Sequence, residues 1–315
     1  MALHSAGLSA DPQPVGAVFA PAKINLALHV VGRRADGYHC LDSLVVFASV
    51  GDEITAFPGD AGPALMVDGP FAAGLSAGDD NLIARADRAF RQRCPALPPL
   101  ALRLSKHLPV SSGIGGGSAD GGATLRLLAF LAGTTCNTDL EALALTLGAD
   151  GPMCLRSTPL RARGIGEMLE PWDRAPKLDL VLVNPGVAVS TPAVFRRLDR
   201  PGNPPLSDTL PSFDDSATLA AFLTTRTRND LAAPAAAEAP EISAAERALA
   251  AADGCLLARM SGSGATVFGL FADAEAAGRA ASSIAAARPD WWVRAATTIT
   301  GAEAAPRGHD EIVGG

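Results

Sequence analysis

Six glycines lie within ten residues, from Gly113 to Gly122, in the stretch LPVSSGIGGGSADGGATL. Glycine loses more backbone freedom on folding than any other residue, so such a run weakens any helix or strand that contains it. An ordinary tight turn needs only one or two glycines. The run therefore predicts a loop whose backbone another group approaches closely.

The residues on either side of the run indicate what that loop connects. Before it, Leu100, Leu102 and Leu104 alternate with other residues at the period of two that is typical of a strand. After it, ADGGATLRLLAFLAG is apolar nearly all round, as expected of a buried helix. A helix N-terminus that follows a glycine loop presents free N–H groups to an anion. The pattern therefore favours a phosphate-binding loop.

Two familiar phosphate loops do not fit this run. A Walker A loop ends in Gly-Lys followed by Ser or Thr, and the run contains no lysine. A dinucleotide fingerprint needs G-x-G-x-x-G, but Ser118 stands where the third glycine belongs after Gly113 and Gly115. What remains is a strand, a glycine loop and the N-terminus of a buried helix, which would hold an anion in another way.

Composition and charge limit the possible partners. The 315 residues are 48% apolar and 19% charged, enough for one large or two ordinary domains with a substantial core. A formal net charge of −7 with no basic tract argues against a nucleic-acid partner. No apolar run has the length of a membrane span, and the first residues lack the pattern of a signal peptide. We expect a cytoplasmic protein with no membrane partner, acting on small molecules.

The cysteines and histidines suggest neither a metal site nor a disulfide framework. The five cysteines are scattered and never spaced C-x-x-C, and the histidines lack ligand spacing. We therefore expect five free thiols and no metal bound by the protein alone.

The order of local patterns indicates two α+β halves. The first half is expected over 15–171, with early strands, a helix capped by Asn81, and a helix opened by a Thr138–Glu141 capping box and closed by Gly148. The second is expected over 172–300 and resembles a split β-α-β unit. Residues 1–14 and 301–315 are expected to be disordered tails.

Three motifs in order resemble the small-molecule kinase superfamily that includes galactokinase, homoserine kinase, mevalonate kinase and phosphomevalonate kinase. They are APAKINLALHV (Ala20–Val30), PVSSGIGGGSAD (Pro109–Asp120) and MSGSGATVFGLF (Met260–Phe271). The resemblance implies a two-domain α+β kinase fold of the GHMP type. Its N-terminal domain is β-rich and helical and binds ATP, and its C-terminal domain is a ferredoxin-like split β-α-β unit.

Finer features resemble one branch of that superfamily, whose acceptor is a cytidine-diphosphate-linked methylerythritol of the non-mevalonate isoprenoid pathway. They are the GIGGGSAD form of the loop, RADGYHCLDS (Arg34–Ser43), LGADGP (Leu147–Pro152), ARGIGEML (Ala162–Leu169) and NPGVAVSTPAVF (Asn184–Phe195). The resemblance implies transfer of the γ-phosphoryl group of ATP to the 2-hydroxyl of that alcohol. The alternatives are another alcohol kinase, such as a homoserine or mevalonate kinase, and a nucleotide-binding protein without turnover.

The resemblance implies that Asp150 is the catalytic base and that Lys23 lies near it and neutralises charge at the phosphoryl group. From the residues alone, Asp150 could equally cap a helix that has Pro152 near its start, and Lys23 could be an ordinary strand lysine. Lys23 is nevertheless one of only three lysines, with Lys106 and Lys177, among 26 basic residues. A position that keeps lysine can require its compact point charge.

The resemblance also implies the residues that bind the two substrates. Those expected to bind ATP are Lys106, Pro109, Val110, Ser111, Ser112, Gly113, Ile114, Gly115, Gly116, Gly117, Ser118 and Ala119. Lys106 could instead be a solvated lysine. Those expected to bind the acceptor are Asn25, Tyr38, His39, Thr191 and Phe195, with Tyr38 and His39 around the cytosine. Mg²⁺ is expected to arrive with ATP, beside Ser118.

Three glycines depart from the pattern of that branch. Gly151 stands where a valine-like residue is usual, and Gly121 and Gly122 replace more usual alanines. We expect Gly121 and Gly122 to loosen the first turn of the helix after the loop.

Overall fold

The structure is a computed structural model that describes residues 13–59, 64–133, 136 and 138–314. The strands of these residues are β1 Gly16–Arg33, β2 His39–Pro58, β3 Leu65–Asp68, β4 Leu100–Ser105, β5 Leu160–Gly164, β6 Met168–Pro171, β7 Asp179–Asn184, β8 Cys255–Met260, β9 Val267–Phe271, β10 Trp292–Ile299 and β11 Arg307–Gly308. The helices are α1 Leu82–Arg93, α2 Gly116–Ala132, α3 Leu140–Leu147, α4 Gly151–Arg156, α5 Thr191–Arg196, α6 Ser216–Arg226, α7 Ala232–Glu238, α8 Glu241–Ala250, α9 Ala274–Ala287 and α10 His309–Val313.

The first half is built on two long antiparallel strands, β1 and β2. β2 also pairs with β4 and β5, β3 runs parallel to β4, and β6 pairs with β5. The register of β1 against β2 shifts between Pro21 and Lys23 and again between Asn25 and Ala27. Such irregularities change the direction in which nearby side chains point. Helices α1 to α4 cover this sheet, and side chains such as Val18, Phe47 and Leu127 fill the core between them.

The second half is a four-stranded antiparallel sheet in the order β10-β7-β9-β8. The parallel strands β7 and β8 are separated by β9, which is the expected split β-α-β arrangement. The halves are joined where Thr298 and Ile299 of β10 pair with Ala48 and Phe47 of β2. The predicted α+β class is confirmed, and residue 172, the expected boundary, falls between β6 and β7.

Local sequence signals located several elements correctly. Asn81 caps α1, and its side chain accepts a hydrogen bond from the Ile83 N–H. The alternating leucines form β4, and α3 ends at Gly148 as expected. The cap of α3, however, is Asp139, which accepts from the Ala142 N–H, and not Thr138. Either residue could cap a helix chemically, and the one that does so lies one position later.

Residues 301–314 differ from the expected disordered tail. Ala304 is fully buried, β11 pairs with the start of β1, and the Pro14 carbonyl lies 2.8 Å from Nδ1 of His309. The short polar segment is ordered by these contacts with the first half, which its own composition does not reveal. Residues 1–12 of the other expected tail lie outside the described residues.

Two further features were not expected from the sequence. Helices α6 and α7 follow the loop of residues 197–215 after α5, here called the proline-rich loop, and α6 begins with a capping box formed by Asp215 and Thr218. Cys94 and Cys136 form a disulfide with Cα atoms 5.5 Å apart, so the expectation of five free thiols is wrong for this pair. Cys94 ends α1 and Cys136 follows α2, so the packing of these two helices brings together residues 42 positions apart.

Candidate active site

The glycine run forms the connection between β4 and α2 and lines a large cavity. Helix α2 begins at Gly116 after Gly115, which has the left-handed conformation with φ of 67°. This cavity, here called the loop cavity, has a volume of about 770 Å³ and is lined by Ser111, Gly115, Gly117 and Ser118 among others. Free N–H groups at the start of a long helix suit the binding of phosphate oxygens.

Several glycines of the run lie close to neighbouring protein atoms, and at Gly113 and Gly122 those atoms leave no space for a Cβ. A Cβ on Gly113 would lie 2.6 Å from the carbonyl oxygen of Gly264, and one on Gly122 would lie 2.8 Å from the backbone of Cys154. Those on Gly115 and Gly116 would lie 3.2 Å from the side chains of Lys23 and Lys106. The sequence predicted a close approach by another group, and for these positions that group is the protein itself.

A second glycine loop, residues 261–265, packs directly on the first. The Thr266 N–H donates to the Ser112 carbonyl, and the Ser261 hydroxyl donates to the Gly113 carbonyl. Ser263 also lies 2.6 Å, hydroxyl to hydroxyl, from Thr191 at the start of α5. The third sequence motif therefore supports the first, although none of its residues was predicted for the site.

Lys23 and Asp150 form an ion pair on the wall of the loop cavity. Nζ of Lys23 lies 2.8 Å from Oδ2 of Asp150, and the side chains are 7% and 36% exposed. Burial is the largest single influence and lowers the pKa of Lys23, but the charge of Asp150, the Cys154 thiol and the hydrogen bond to Asp150 together raise it. Lys23 is therefore a cation at neutral pH, held beside a carboxylate that still faces the cleft.

Asp150 occupies the N-cap position of α4, but its side chain makes no capping hydrogen bond. It is directed to Lys23 instead. The N-cap interpretation of Asp150 is therefore right about its position in the helix, while its carboxylate belongs to the cleft.

Lys106 lies in a buried cluster with Asp52 and Asp120, here called the lysine cluster. Its Nζ is 2.6 Å from Oδ2 of each carboxylate. Oδ1 of Asp52 also accepts from the N–H groups of His107 and Leu108. Burial and the charge of Asp52 raise the pKa of Asp120 to about 8, against the lowering effect of Lys106. Lys106 is thus neither solvated nor free to bind another anion in this arrangement.

A second cavity of about 750 Å³, here called the aromatic cavity, adjoins the loop cavity. Asp150, Thr191 and Phe195 line both, and Tyr38 and His39 line the aromatic cavity. The rings of His39 and Phe195 are stacked with centroids 4.8 Å apart, while Tyr38 is 58% exposed. Burial, with the Arg33 charge, lowers the pKa of His39, so its imidazole is neutral at pH 7.

The outer wall of the aromatic cavity comes from the proline-rich loop, which includes Leu198 and Pro201. A buried pair holds this loop: Arg161 donates two hydrogen bonds to Asp42, and Asp42 accepts a third from the Leu206 N–H. Arg161 also donates to carbonyls of residues 206–208. Sequence analysis missed this pair because its members lie 119 residues apart on separate strands.

Asn25 carries an acceptor without a partner. Its Nδ2 donates to the Ser43 hydroxyl at 2.7 Å, and Ser43 donates in turn to the Ala27 carbonyl. These two consecutive hydrogen bonds assign the orientation of the Asn25 amide and leave its Oδ1 buried with no hydrogen bond. Asn25 lines the loop cavity, while its Oδ1 is enclosed by protein beside the cavity.

Most of the predicted site residues line these cavities. Those on the loop cavity are Lys23, Asn25, Ser111, Ser112, Gly113, Gly115, Gly116, Gly117, Ser118, Asp150, Thr191 and Phe195. Lys106, Pro109 and Val110 line a smaller cavity of about 160 Å³ on the other side of the loop. Ile114 and Ala119 are buried and line none of these cavities, and the Ile114 carbonyl accepts from the Lys23 N–H.

The donors on the loop cavity suit a magnesium ion that arrives with a nucleotide. The Ser118 hydroxyl and the half-exposed Asp150 carboxylate are hard oxygen ligands on the same cavity. Among the described residues, no group of three or more His, Cys, Asp or Glu side chains could hold a metal ion. The residues therefore fit an ion held mainly by phosphate oxygens and water, with one or two protein oxygens beside it.

Comparison with known proteins gives the class first. Residues 81–157 match the family described as GHMP kinases N terminal domain, and residues 210–290 match GHMP kinases C terminal. The crystal structure of a homoserine kinase from Cytophaga hutchinsonii covers 96% of this chain with a TM-score of 0.65 at 14% identity, and it shares the fold. The fold and the two packed glycine loops are those of a GHMP kinase.

Closer relatives define the family within that class. A 4-diphosphocytidyl-2-C-methyl-D-erythritol kinase of Cereibacter sphaeroides is 54% identical over 89% of this chain and 98% of its own length. The kinase of the same name from Paracoccus denitrificans is 51% identical over 88% of this chain and 94% of its own length. The crystal structure of a 4-(cytidine 5'-diphospho)-2C-methyl-D-erythritol kinase superposes with a TM-score of 0.72. Its sequence is 34% identical, and the match covers 90% of this chain and 98% of that one. The chain belongs to the 4-diphosphocytidyl-2-C-methyl-D-erythritol kinase family.

Within the part of the chain that the structure describes, no helix combines the length and apolar character needed to cross a membrane.

Proposed function

We propose that this kinase transfers the γ-phosphoryl group of ATP to the 2-hydroxyl of 4-diphosphocytidyl-2-C-methyl-D-erythritol. One observation carries the proposal: the Lys23–Asp150 pair stands where the loop cavity and the aromatic cavity meet. A phosphate donor in the first cavity and a cytidylyl alcohol in the second would meet at this carboxylate. Membership of the family supports this acceptor over homoserine or mevalonate.

In this mechanism Asp150 accepts the proton of the attacking hydroxyl. Phosphoryl transfer passes through a loose transition state, so the carboxylate mainly orients the alcohol and takes its proton late. Lys23 holds the carboxylate by the 2.8 Å ion pair and places positive charge beside the transferred group. Asn25, on the wall of the loop cavity, contacts the acceptor in this proposal.

ATP binds with its phosphates against the N-terminus of α2. The N–H groups of Gly116, Gly117 and Ser118 hold phosphate oxygens, and the second glycine loop fixes the first from behind. Mg²⁺ brought with ATP would supply charge neutralisation, and Ser118 and Asp150 are the residues that would hold it. We expect these events in the cytoplasm.

The aromatic cavity receives the cytosine. Tyr38 is exposed at its rim and offers a flat face for stacking, and the neutral His39 imidazole offers a donor and an acceptor to the edge of the base. Phe195 supports the His39 ring by stacking on it.

The test is ADP release by the purified protein with Mg-ATP, with the diphosphocytidyl alcohol, homoserine and mevalonate offered separately. We expect turnover with the cytidylyl compound alone. Turnover only with another alcohol would overturn the acceptor but keep the kinase, and ATP binding without ADP production would favour a binding protein.

A Tyr38→Ala variant sharpens the same test. Loss of one base–aromatic stack is worth about 1–3 kcal/mol, so KM for the cytidylyl acceptor should rise by about tenfold or more while KM for ATP stays constant. An effect confined to ATP would contradict the placement of Tyr38.

A further inference from the structure

We propose that Arg126, in the middle of α2, is a positioning residue that fixes Asp150 relative to the glycine loop. The inference rests on the proposed role of Asp150 in phosphoryl transfer. Arg126 itself lines neither the loop cavity nor the aromatic cavity. It acts through the backbone of α4, the helix that Asp150 begins.

Three elements meet at the Arg126 guanidinium. Nη1 donates to the carbonyls of Cys154 and Leu155 at 2.8 and 2.9 Å, near the C-terminal end of α4, and to the Ser157 hydroxyl. Nη2 donates to the Phe19 carbonyl at 2.9 Å, on the strand that carries Lys23. Helix α2, which begins at the glycine loop, is therefore tied to α4, which follows Asp150, and to β1, which carries Lys23.

Helix α4 depends on such contacts because it has only six residues. A helix of that length is not stable alone, and the carboxylate at its N-cap position makes no capping hydrogen bond. Its last carbonyls lack partners within the helix, and a cation at a helix C-terminus also interacts favourably with the helix dipole. Arg126 supplies both the donors and the charge.

The packing of α4 leaves little freedom to compensate for loss of Arg126. Gly122, one turn before Arg126, lies against the backbone of Cys154 and Leu155, where a Cβ would be 2.8 Å away. A Cβ on Gly151 would overlap the Ala144 carbonyl of α3. The departures at Gly122 and Gly151 therefore allow α4 to sit close to α2 and α3. The expectation that Gly122 loosens the start of α2 overlooked this contact.

The guanidinium is buried for these contacts without a counter-ion. Burial lowers the pKa of Arg126 to about 10, which leaves it charged at neutral pH, and no carboxylate pairs with it among the described residues. A part-buried charge without a counter-ion is costly unless its donors are hydrogen-bonded, and the four hydrogen bonds of Arg126 offset that cost.

The first test compares Arg126→Ala with Arg91→Ala as a matched control. Arg91 also donates to two backbone carbonyls, those of Leu97 and Pro98, but in a segment that carries no site residue. Because a displacement of about 1 Å can reduce a rate about 100-fold, kcat of folded Arg126→Ala should fall by about that factor while both KM values change little. Arg91→Ala should keep the wild-type kcat.

Chemical rescue separates positioning from general stability. Millimolar guanidine should restore part of kcat in Arg126→Ala and leave Arg91→Ala unchanged, and Arg126→Lys should retain intermediate activity. A folded Arg126→Ala enzyme with wild-type kcat would overturn the proposal. So would a loss of activity that follows only the unfolded fraction and does not respond to guanidine.

Hydrogen exchange gives a readout that does not depend on the acceptor. The amides of Gly151 and of residues 153–156 should exchange faster in Arg126→Ala than in the wild type or Arg91→Ala. Unchanged exchange there would overturn the proposal even if the acceptor proved to be a different alcohol. Faster exchange in a protein that does not use the cytidylyl compound would overturn only the proposed function.

Discussion

Two of the three lysines end on carboxylates, and their surroundings differ. Lys23 meets one carboxylate, and that carboxylate is 36% exposed to the cleft. Lys106 lies between two carboxylates whose side chains are 0% and 6% exposed. The same chemical groups therefore serve two purposes. The first pair keeps an oxygen accessible to a substrate, and the lysine cluster joins β2, the end of β4 and α2 beneath the glycine loop.

The difference shows that a buried lysine near a phosphate loop need not touch phosphate. Asp52 has partners on both oxygens, while Oδ1 of Asp120 is buried without one. The lysine cluster supports the loop through the protein interior. The expected contact between Lys106 and ATP stays a prediction. Asp52 and Asp120, which already bind the Lys106 ammonium, would compete with ATP for it.

The largest effect should come from the exposed pair. Asp150→Asn removes the proton acceptor but keeps the shape of the side chain, so kcat should fall by about 10²–10⁴ while KM for both substrates is largely retained. Steady-state kinetics of the folded variant measures this. An unchanged kcat would remove Asp150 from the mechanism and erase the contrast with the lysine cluster.

Removing the buried lysine should act on stability. Lys106→Met leaves Asp52 and Asp120 buried without their cation, so the free energy of unfolding should fall by about 3–5 kcal/mol in urea titrations. The matched control is Lys177→Met at an exposed position, expected within about 0.5 kcal/mol of the wild type.

Adding Asp120→Asn to Lys106→Met should change the free energy of unfolding little at neutral pH, because the raised pKa of Asp120 already keeps it mainly protonated there and Asp52 is the charge left unpaired. A Lys106→Met protein as stable as Lys177→Met would show that Lys106 does not stabilise the buried carboxylates of the lysine cluster.

A further effect concerns pH. Burial is the main reason that the pKa of Asp120 rises from 3.8 to about 8, so folding favours its protonated form. The stability from that proton is complete below pH 3.8 and is lost as pH rises through about 8. The stability of the wild type relative to Asp120→Asn should therefore decrease across this range. Urea midpoints of both proteins at several pH values test it, and a difference that increases with pH would contradict the assignment.

Sequence patterns located the elements whose signals are local. The Asn81 cap, the alternation in β4 and the helix after the glycine run all depend on residues a few positions apart. The Asp215 capping box of α6 was also a local signal, and it was overlooked.

Features made by distant residues could not be predicted in the same way. Lys106 meets Asp52 from 54 positions away, and Arg161 meets Asp42 from 119. The Lys23–Asp150 contact, 127 positions apart, was expected only because the motifs resemble a known superfamily. The glycines were interpreted as space for a ligand, while their Cβ positions at Gly113 and Gly122 face other backbone segments. Glycine reports a close approach but does not identify the approaching group.

The junction between the halves bears on how the chain folds during synthesis. β2 gains part of its pairing from β10, and the start of β1 gains β11, so residues near the end of the chain complete a sheet begun near its start. The first half therefore cannot reach its final state while the ribosome is still making the second. Until residues 292–308 emerge, these strand edges stay open to pairing with other nascent chains, which is a recognised route to aggregation.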